Sequence, residues 1–312
     1  MHSQNVGKLD FGKKLTKHID NGNVSAVLSF LVKDRECVHV RTGHPGKKIS
    51  LEEGGAMKVS RFCVMVLVVL VGMCVVTLIS SDTFAQAKKV RKVVVATDAT
   101  WPPMEMVDTN KKIVGFDIDF MNAVAKEAGF QVEYKNTAWD GIFGGLEAKK
   151  YDAIISSVTI TEERKKKYDF SEPYVNVGQI LVIPKTAKNV KALADLKGKK
   201  VGAQIGTTGS FEIKKVAGVE LKTYDEIGLA FEDMAAGRID GVVCDEPTAA
   251  HFALQRTEYK AKFAIAGQPF TEESYGVVVQ KGDKELVDLL NKGIRAAKAK
   301  KIDDQLKKKW LR

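Results

Sequence analysis

The chain has 312 residues, of which 45% are hydrophobic and 28% charged, an ordinary balance for a soluble globular protein with room for one or two domains. Its net charge of +10 divides as +3 for residues 1–56, +1 for 57–87 and +6 for 88–312; the lysine clusters carry no interleaved aromatics and no zinc-type spacing, which argues against a nucleic-acid partner. The four cysteines, Cys37, Cys63, Cys74 and Cys244, form no CxxC pair and no cluster with histidine, so neither a metal nor a cofactor is expected.

Residues 1–56 are polar and aperiodic. They end in Leu51-Glu-Glu-Gly-Gly-Ala56, which is what a purine-rich ribosome-binding site would encode if translated. Met57 is therefore the expected start, and residues 1–56 a non-native or disordered extension. From Met57 the pattern is that of a secretory signal: Lys58 and Arg61, an uncharged run over 62–79, then Ala85-Gln86-Ala87 as a small-x-small cleavage site. The expected signal peptide is 57–87, and the expected destination is the periplasm. The run over 62–79 is long enough to span a bilayer, so an uncleaved anchor is the alternative. Only Cys244 follows the cleavage site, and the mature chain can form no internal disulfide.

Residues 93–97 are β-branched and nearly continuous, as in a buried strand, and they stop at Asp98-Ala-Thr-Trp101-Pro-Pro103. A helix is predicted over 118–128 with Gly129 as its stop, a strand over 132–134, and a helix from Trp139 to about Lys149. Residues 153–156 read as a short buried strand. Further strands are predicted over 177–183, 199–203, 239–244 and 277–279. Helices are predicted from Phe211, over 227–236, over 284–299 and over 302–310. The strand–helix alternation predicts an α/β fold of mostly parallel sheets flanked by helices. In such sheets ligands lie beyond the carboxyl ends of the strands, where Asp98, Ser157, Gln204 and Asp245 all fall.

The most informative stretch is 152–174, DAIISSVTITEERKKKYDFSEPY. Thr161 suits a helix N-cap, and Glu162 and Glu163 suit the positive end of the dipole. Arg164 sits in that same first turn, where the dipole disfavours a cation. A solvated Arg-Lys-Lys-Lys run is one reading. The other is a guanidinium fork closing bidentately on a ligand carboxylate, helped by the hydroxyls of Ser156, Ser157 and Thr159. Asp245, before Glu246-Pro247, would partner a ligand ammonium, since a buried carboxylate is stabilised by a cation.

The segment resembles the periplasmic amino-acid-binding proteins of polar-amino-acid ABC importers (solute-binding protein family 3). Their S-x-T-I-T turn and E-R-x-x-x-x-D-F-S-x-P-Y run match Ser157, Thr159, Ile160, Thr161, Glu163, Arg164, Asp169, Phe170, Ser171, Pro173 and Tyr174. The resemblance extends from Val93 to the C-terminus. It implies a two-lobed type II periplasmic-binding fold, with lobe 1 from 88–174 plus 275–312 and lobe 2 from 178–271. The chain would cross between lobes near 173–178 and 271–275. It also implies that the turn containing Gln204, Thr208 and Gly209 bonds the ligand carboxylate, that Trp101 and Trp139 sandwich the ligand side chain, and that Asp98 contacts its tip. An acceptor at Asp98 favours arginine, lysine or histidine first and glutamine second. The implied function is a monomeric receptor delivering a polar amino acid to an inner-membrane ABC permease. The alternative on the same fold is a cyclohexadienyl or arogenate dehydratase. An enzyme would need a general acid over the cleft, and no partner pattern in the sequence marks Glu105, Glu172 or Glu246 as one, so no catalytic residue is expected.

Overall fold

The computed structural model describes residues 90–311, and the expected extension and signal peptide lie outside the described residues. The chain opens with β1 (Lys92–Thr97), β2 (Thr100–Trp101), β3 (Glu105–Val107), β4 (Ile113–Val114), α1 (Phe116–Ala128), β5 (Gln131–Asn136), α2 (Trp139–Glu147) and β6 (Ala153–Ile154). After α3 (Glu162–Lys167) and β7 (Tyr168–Phe170) come β8 (Val175–Val177) and β9 (Gln179–Pro184). There follow β10 (Lys200–Gln204), α4 (Thr208–Lys215), β11 (Glu220–Tyr224), α5 (Ile227–Ala235), β12 (Gly241–Asp245), α6 (Glu246–Ala250) and β13 (Phe263–Ala266). The chain closes with β14 (Glu273–Tyr275), β15 (Val278–Gln280), α7 (Lys284–Ala299) and α8 (Ile302–Trp310).

Two five-stranded sheets organise these elements, one per lobe. The first has the order β5-β1-β6-β15-β7 and the second β11-β10-β12-β9-β13. In each, three neighbouring strands are parallel: β5, β1 and β6 in the first, β11, β10 and β12 in the second. The remaining two strands of each sheet pair antiparallel. This is the two-lobed α/β architecture of the type II periplasmic-binding fold. Between the sheets lies a two-stranded antiparallel ribbon, β8 with β14, pairing Val175 with Tyr275 and Val177 with Glu273. The chain thus crosses from one sheet to the other twice, side by side.

Burial explains why the strands read clearly. Val93, Val95 and Ala96 of β1, Val201 and Ala203 of β10, and Val242 and Val243 of β12 are all buried, covered by helices on the sheet faces. Each fully buried aliphatic side chain contributes roughly 1.5–3 kcal/mol through removal of apolar area from water. Both C-terminal helices start and stop where the sequence pattern places them, with the Asp283 side chain capping the Leu286 N–H at 3.0 Å.

Several boundaries differ from expectation, the strand over 177–183 being divided between β8 and β9, and three of the differences have a local reason. The strand expected over 153–156 pairs only through Ala153–Ile154, because the backbone turns at Ser157 into the left-handed region (φ 49°). For a residue with a Cβ that conformation costs about 1–2 kcal/mol, and the Ser157 N–H is held there by the Asp117 carboxylate at 2.7 Å. The helix expected from Phe211 begins at Thr208, since Thr207 serves as its cap and accepts from the Ser210 N–H at 3.3 Å. Pro184 is the last residue of β9 and pairs with Phe263 rather than terminating the strand ahead of itself. The short strands β2, β3, β4, β7, β8 and β14 have two or three residues each, too few for an alternating pattern to register.

Candidate functional site

The loops at the carboxyl ends of the parallel strands of both sheets meet around one cavity. It encloses about 310 Å³ of empty space, open solvent at its mouth included. Ten of the eleven residues expected at the site line it directly from both lobes, among them Asp98, Trp101, Trp139, Ser156, Ser157, Thr159 and Arg164 from the first, Gln204 and Thr208 from the second. Asp245 lines it too, at the end of β12. Gly209 does not. It packs beneath the cavity, where a Cβ would stand 2.6 Å from the Gln179 side-chain oxygen and 3.2 Å from Val243. Its part is to let the first turn of α4 approach β9 and β12, a tertiary requirement that no local pattern displays.

Arg164 is placed by the local grammar of α3. The Thr161 hydroxyl accepts the Arg164 N–H at 3.1 Å, so the side chain leaves the first turn of a capped helix toward the cavity. Its guanidinium donates to the Thr159 carbonyl at 2.8 Å and, across the cleft, to the Gly206 carbonyl at 3.4 Å. It lies over the rings of Trp139 and Phe143, 5.5 and 5.4 Å from their centroids. Among the described residues it makes no ion pair. Burial pulls its pKa down to about 10, opposed by the more distant charges of Asp245 and Glu273. The three lysines that follow it stay exposed, so the solvated run is real but begins one residue later.

Opposite stands an acidic, hydroxyl-rich wall. Asp245 is 4% exposed, and burial together with the Glu273 charge pushes its carboxyl up to about 7. Gln179 donates to Asp245 at 3.0 Å and to the Thr208 hydroxyl at 3.0 Å. Glu273, on the ribbon strand β14, accepts hydroxyls from both lobes: Thr159 at 2.8 Å and Thr208 at 2.9 Å. Gln179 and Glu273 were not among the expected residues. One is the first residue of an apolar strand and the other the first of a strand of three, and nothing local marks either as facing the cleft.

At the far end, Asp98 accepts from Gln204 across the cleft at 2.9 Å and from the Thr100 hydroxyl at 2.9 Å. Burial raises its pKa despite those bonds. Trp101 and Trp139 are 6% and 8% exposed, and the Trp101 indole N–H finds no acceptor within the protein. Glu105 lines the same end. Of the three acids considered for general-acid work, Glu172 sits on the surface in an ion pair with Arg295, and Glu246 is exposed at the start of α6. Glu105 alone reaches the cavity. Its partners, Ser156, Ser157 and Asp117, are distant in sequence, which is why no spacing reveals them. No group of histidine, cysteine or carboxylate side chains suited to a metal ion exists among the described residues.

Two lobes joined by a narrow ribbon, with a cation on one wall of the cavity and a carboxylate on the other, make a site suited to a small zwitterion. The chain belongs to the bacterial extracellular solute-binding proteins, family 3, whose model matches residues 93–312. It is 32% identical over 250 residues to the L-cystine-binding protein TcyJ of Escherichia coli K12, covering 80% of this chain and 93% of that one. An ancestral arginine-binding protein, solved with arginine, is 42% identical at a TM-score of 0.67, covering 71% of this chain and 98% of that one. An ancestral arginine-binding protein solved with glutamine is 43% identical at a TM-score of 0.67, covering 70% of this chain and 97% of that one. An ancestral amino-acid-binding protein described as a precursor of cyclohexadienyl dehydratase is 37% identical at a TM-score of 0.66, covering 71% of this chain and 96% of that one. Membership of an extracellular family places the protein outside the cytoplasm. No helix among the described residues is long and apolar enough to cross a membrane.

Proposed function

We propose that this protein captures a polar amino acid in the periplasm, cationic ones first and glutamine second, and hands it as a monomer to an inner-membrane ABC permease. The observation that carries the reading is the pair of charges facing one cavity from opposite lobes, Arg164 without an ion-pair partner and Asp245 held near neutrality by burial. A ligand α-carboxylate would take the two outward N–H groups of Arg164, and the α-ammonium would restore the charged form of Asp245. Thr159, Thr208 and the Gly206–Ser210 turn stand beside the carboxylate position, with Gly209 shaping that turn from beneath. Ser156, Ser157, Trp101, Trp139, Gln204 and Asp98 surround the side chain. The acceptor at Asp98 and the two tryptophans lining the cavity favour a donor-bearing tip, in agreement with the arginine and glutamine bound in the ancestral arginine-binding structures. On this reading residues 88–174 with 275–312 form one rigid lobe and 178–271 the other, hinging at the β8–β14 ribbon.

The dehydratase reading gains one observation, the buried Glu105 carboxyl in the cleft. The receptor reading is favoured because Asp245 and Arg164 line the same cavity from opposite lobes, one charge for each charged group of an amino acid. A thermal-shift panel of the twenty amino acids and L-cystine tests it. Ligand at roughly a thousandfold above Kd adds about 4 kcal/mol, which for a protein of this size is roughly 8–16 °C in Tm. The expected order is arginine, lysine and histidine, then glutamine. Largest shifts from leucine, glutamate or cystine would reject the specificity, and turnover of prephenate or arogenate would reject the non-enzymatic reading.

A further inference from the structure

Beneath the far end of the cavity lies a pair of carboxyls that the binding reading leaves unused. Glu105, from β3, and Asp117, from the first turn of α1, are both wholly buried. Their side chains meet in direct hydrogen-bond contact. Glu105 also accepts the hydroxyls of Ser156 at 3.1 Å and Ser157 at 3.2 Å. Asp117 directs one oxygen to the Ser157 N–H at 2.7 Å and the Tyr174 hydroxyl at 2.8 Å. Its other oxygen has no N–H or O–H donor from any other residue. Two carboxyls in contact cannot both ionise away from water, and a proton on Glu105 would supply the donor that this oxygen lacks. The charged and titratable groups that face the pair are Asp98, Tyr134, Tyr174 and Tyr275, all anionic or neutral. The one cation on the cavity wall, Arg164, is occupied with Thr159 and Gly206.

The pair is open to exchange on one side only. Glu105 forms part of the cavity wall with Asp98, and the two are linked, since the Asp98 N–H donates to the Ser156 hydroxyl at 2.9 Å and that hydroxyl donates on to Glu105. The unpaired indole N–H of Trp101 in the same wall marks this end as shaped for an occupant. Resting on the amino-acid reading above, we propose that Glu105 and Asp117 share a proton in the ligand-free protein and that a cationic ligand side chain, entering between Asp98 and Glu105, expels it to solvent. A neutral side chain such as glutamine's leaves the proton in place. The exchange balances: one positive charge enters the buried site as one leaves, with no oxidant or further reactant. Cation selectivity then becomes pH-dependent. Burial and the neighbouring Asp117 charge hold Glu105 well above the ordinary carboxylate range, and burial, opposed by hydrogen bonds from Ser157, Tyr174 and Glu105, puts Asp117 at about 6. Raising the pH toward the Glu105 value lowers the penalty of losing the proton, so affinity for arginine rises with pH relative to glutamine, by at most tenfold per unit.

Calorimetry of the mature protein with L-arginine and with L-glutamine, at pH 6.5 in phosphate and in a buffer of high ionisation enthalpy, reads the protons released directly. Any proton that Asp245 releases to solvent on pairing with the α-ammonium is common to both ligands and cancels in the difference. Arginine is expected to release roughly one proton more than glutamine, and E105Q is expected to abolish that excess while still binding glutamine. D117N, which leaves Glu105 in place without its partner, is expected to reduce it. Equal release from the two ligands in the wild-type protein, or an undiminished excess in E105Q, overturns the inference. Should neither amino acid bind, the amino-acid reading falls and this one with it, whereas binding without the excess removes this one alone.

Discussion

A single guanidinium illustrates how a residue can be set against its local preference for the sake of a site. Arg164 occupies the third position of a six-residue helix, near the positive end of the dipole, and it is partly desolvated as well. Both costs fall away when an anion arrives. Arg164→Ala is therefore expected to weaken amino-acid binding by about 3–5 kcal/mol, much of it from stranding the ligand carboxylate. Lys166→Ala, on the exposed side of the same helix, is expected to change affinity by less than about 1 kcal/mol. Calorimetry of the two variants checks this, and equal losses would remove Arg164 from the site. Asp245 yields a pH prediction with a definite sign. Its carboxyl is raised to about 7 in the folded, ligand-free protein, so protonation stabilises that state, and the contribution is lost as pH rises through about 7. A ligand ammonium needs the ionised form. Glutamine affinity is expected to fall by up to tenfold per unit as pH drops below about 7, and to show a much flatter profile in Asp245→Asn. A flat wild-type profile between pH 5 and 7 would show that Asp245 does not meet the ammonium.

At the level of elements, most of the stability of the first lobe rests on helices laid across its sheet, and α7 packs against α1 more extensively than any other helix pair. Gly293 makes that approach possible. A Cβ there would stand 2.4 Å from the Val124 carbonyl oxygen and 2.7 Å from its Cγ1. In an exposed helix interior Gly→Ala would gain up to about 1 kcal/mol. Here the clash is with backbone of the facing helix, so the sign reverses. Gly293→Ala is expected to destabilise the protein by about 1–3 kcal/mol in a denaturant titration, with ligand affinity per folded molecule unchanged. An increase in stability would mean that the two helices can separate freely. The ribbon of β8 and β14 is built differently. It has three residues in each strand and belongs to neither five-stranded sheet. Such a connection is suited to absorb a change in backbone angles without disturbing either core.

The whole molecule is described with its lobes in contact. Gln204 bonds Asp98, Arg164 reaches Gly206, and Thr159 and Thr208 both donate to Glu273 on the ribbon. A ligand shifts an equilibrium between open and closed forms only through contacts it makes in one and not the other. A zwitterion held by Arg164 from one lobe and Asp245 from the other has such contacts in the closed form alone. Saturating ligand is therefore expected to reduce the radius of gyration measured by small-angle scattering. No compaction under saturation would show that closure is not coupled to binding.

The sequence by itself determined the parallel strands, the long helices and the placement of Arg164 at the cleft. Each is written in short-range physics: continuous β-branched runs for strands buried on both faces, 3.6-residue periodicity for α7 and α8, and a Thr161 cap that fixes where Arg164 emerges. Asp98, Ser157, Gln204 and Asp245 were legible because strand ends converge on the cleft in this architecture. What only the tertiary structure decided is everything that depends on partners remote in the chain. Glu105 looks like one loop acid among several until Ser156, Ser157 and Asp117 are brought around it. Gln179 and Glu273 face the cleft only because β9 and β14 lie beside it, and Gly209 matters only because Gln179 and Val243 come within a methyl group of it. A charge's environment is set by what surrounds it in space, and burial and unlike neighbours at long sequence separation leave no trace in local pattern.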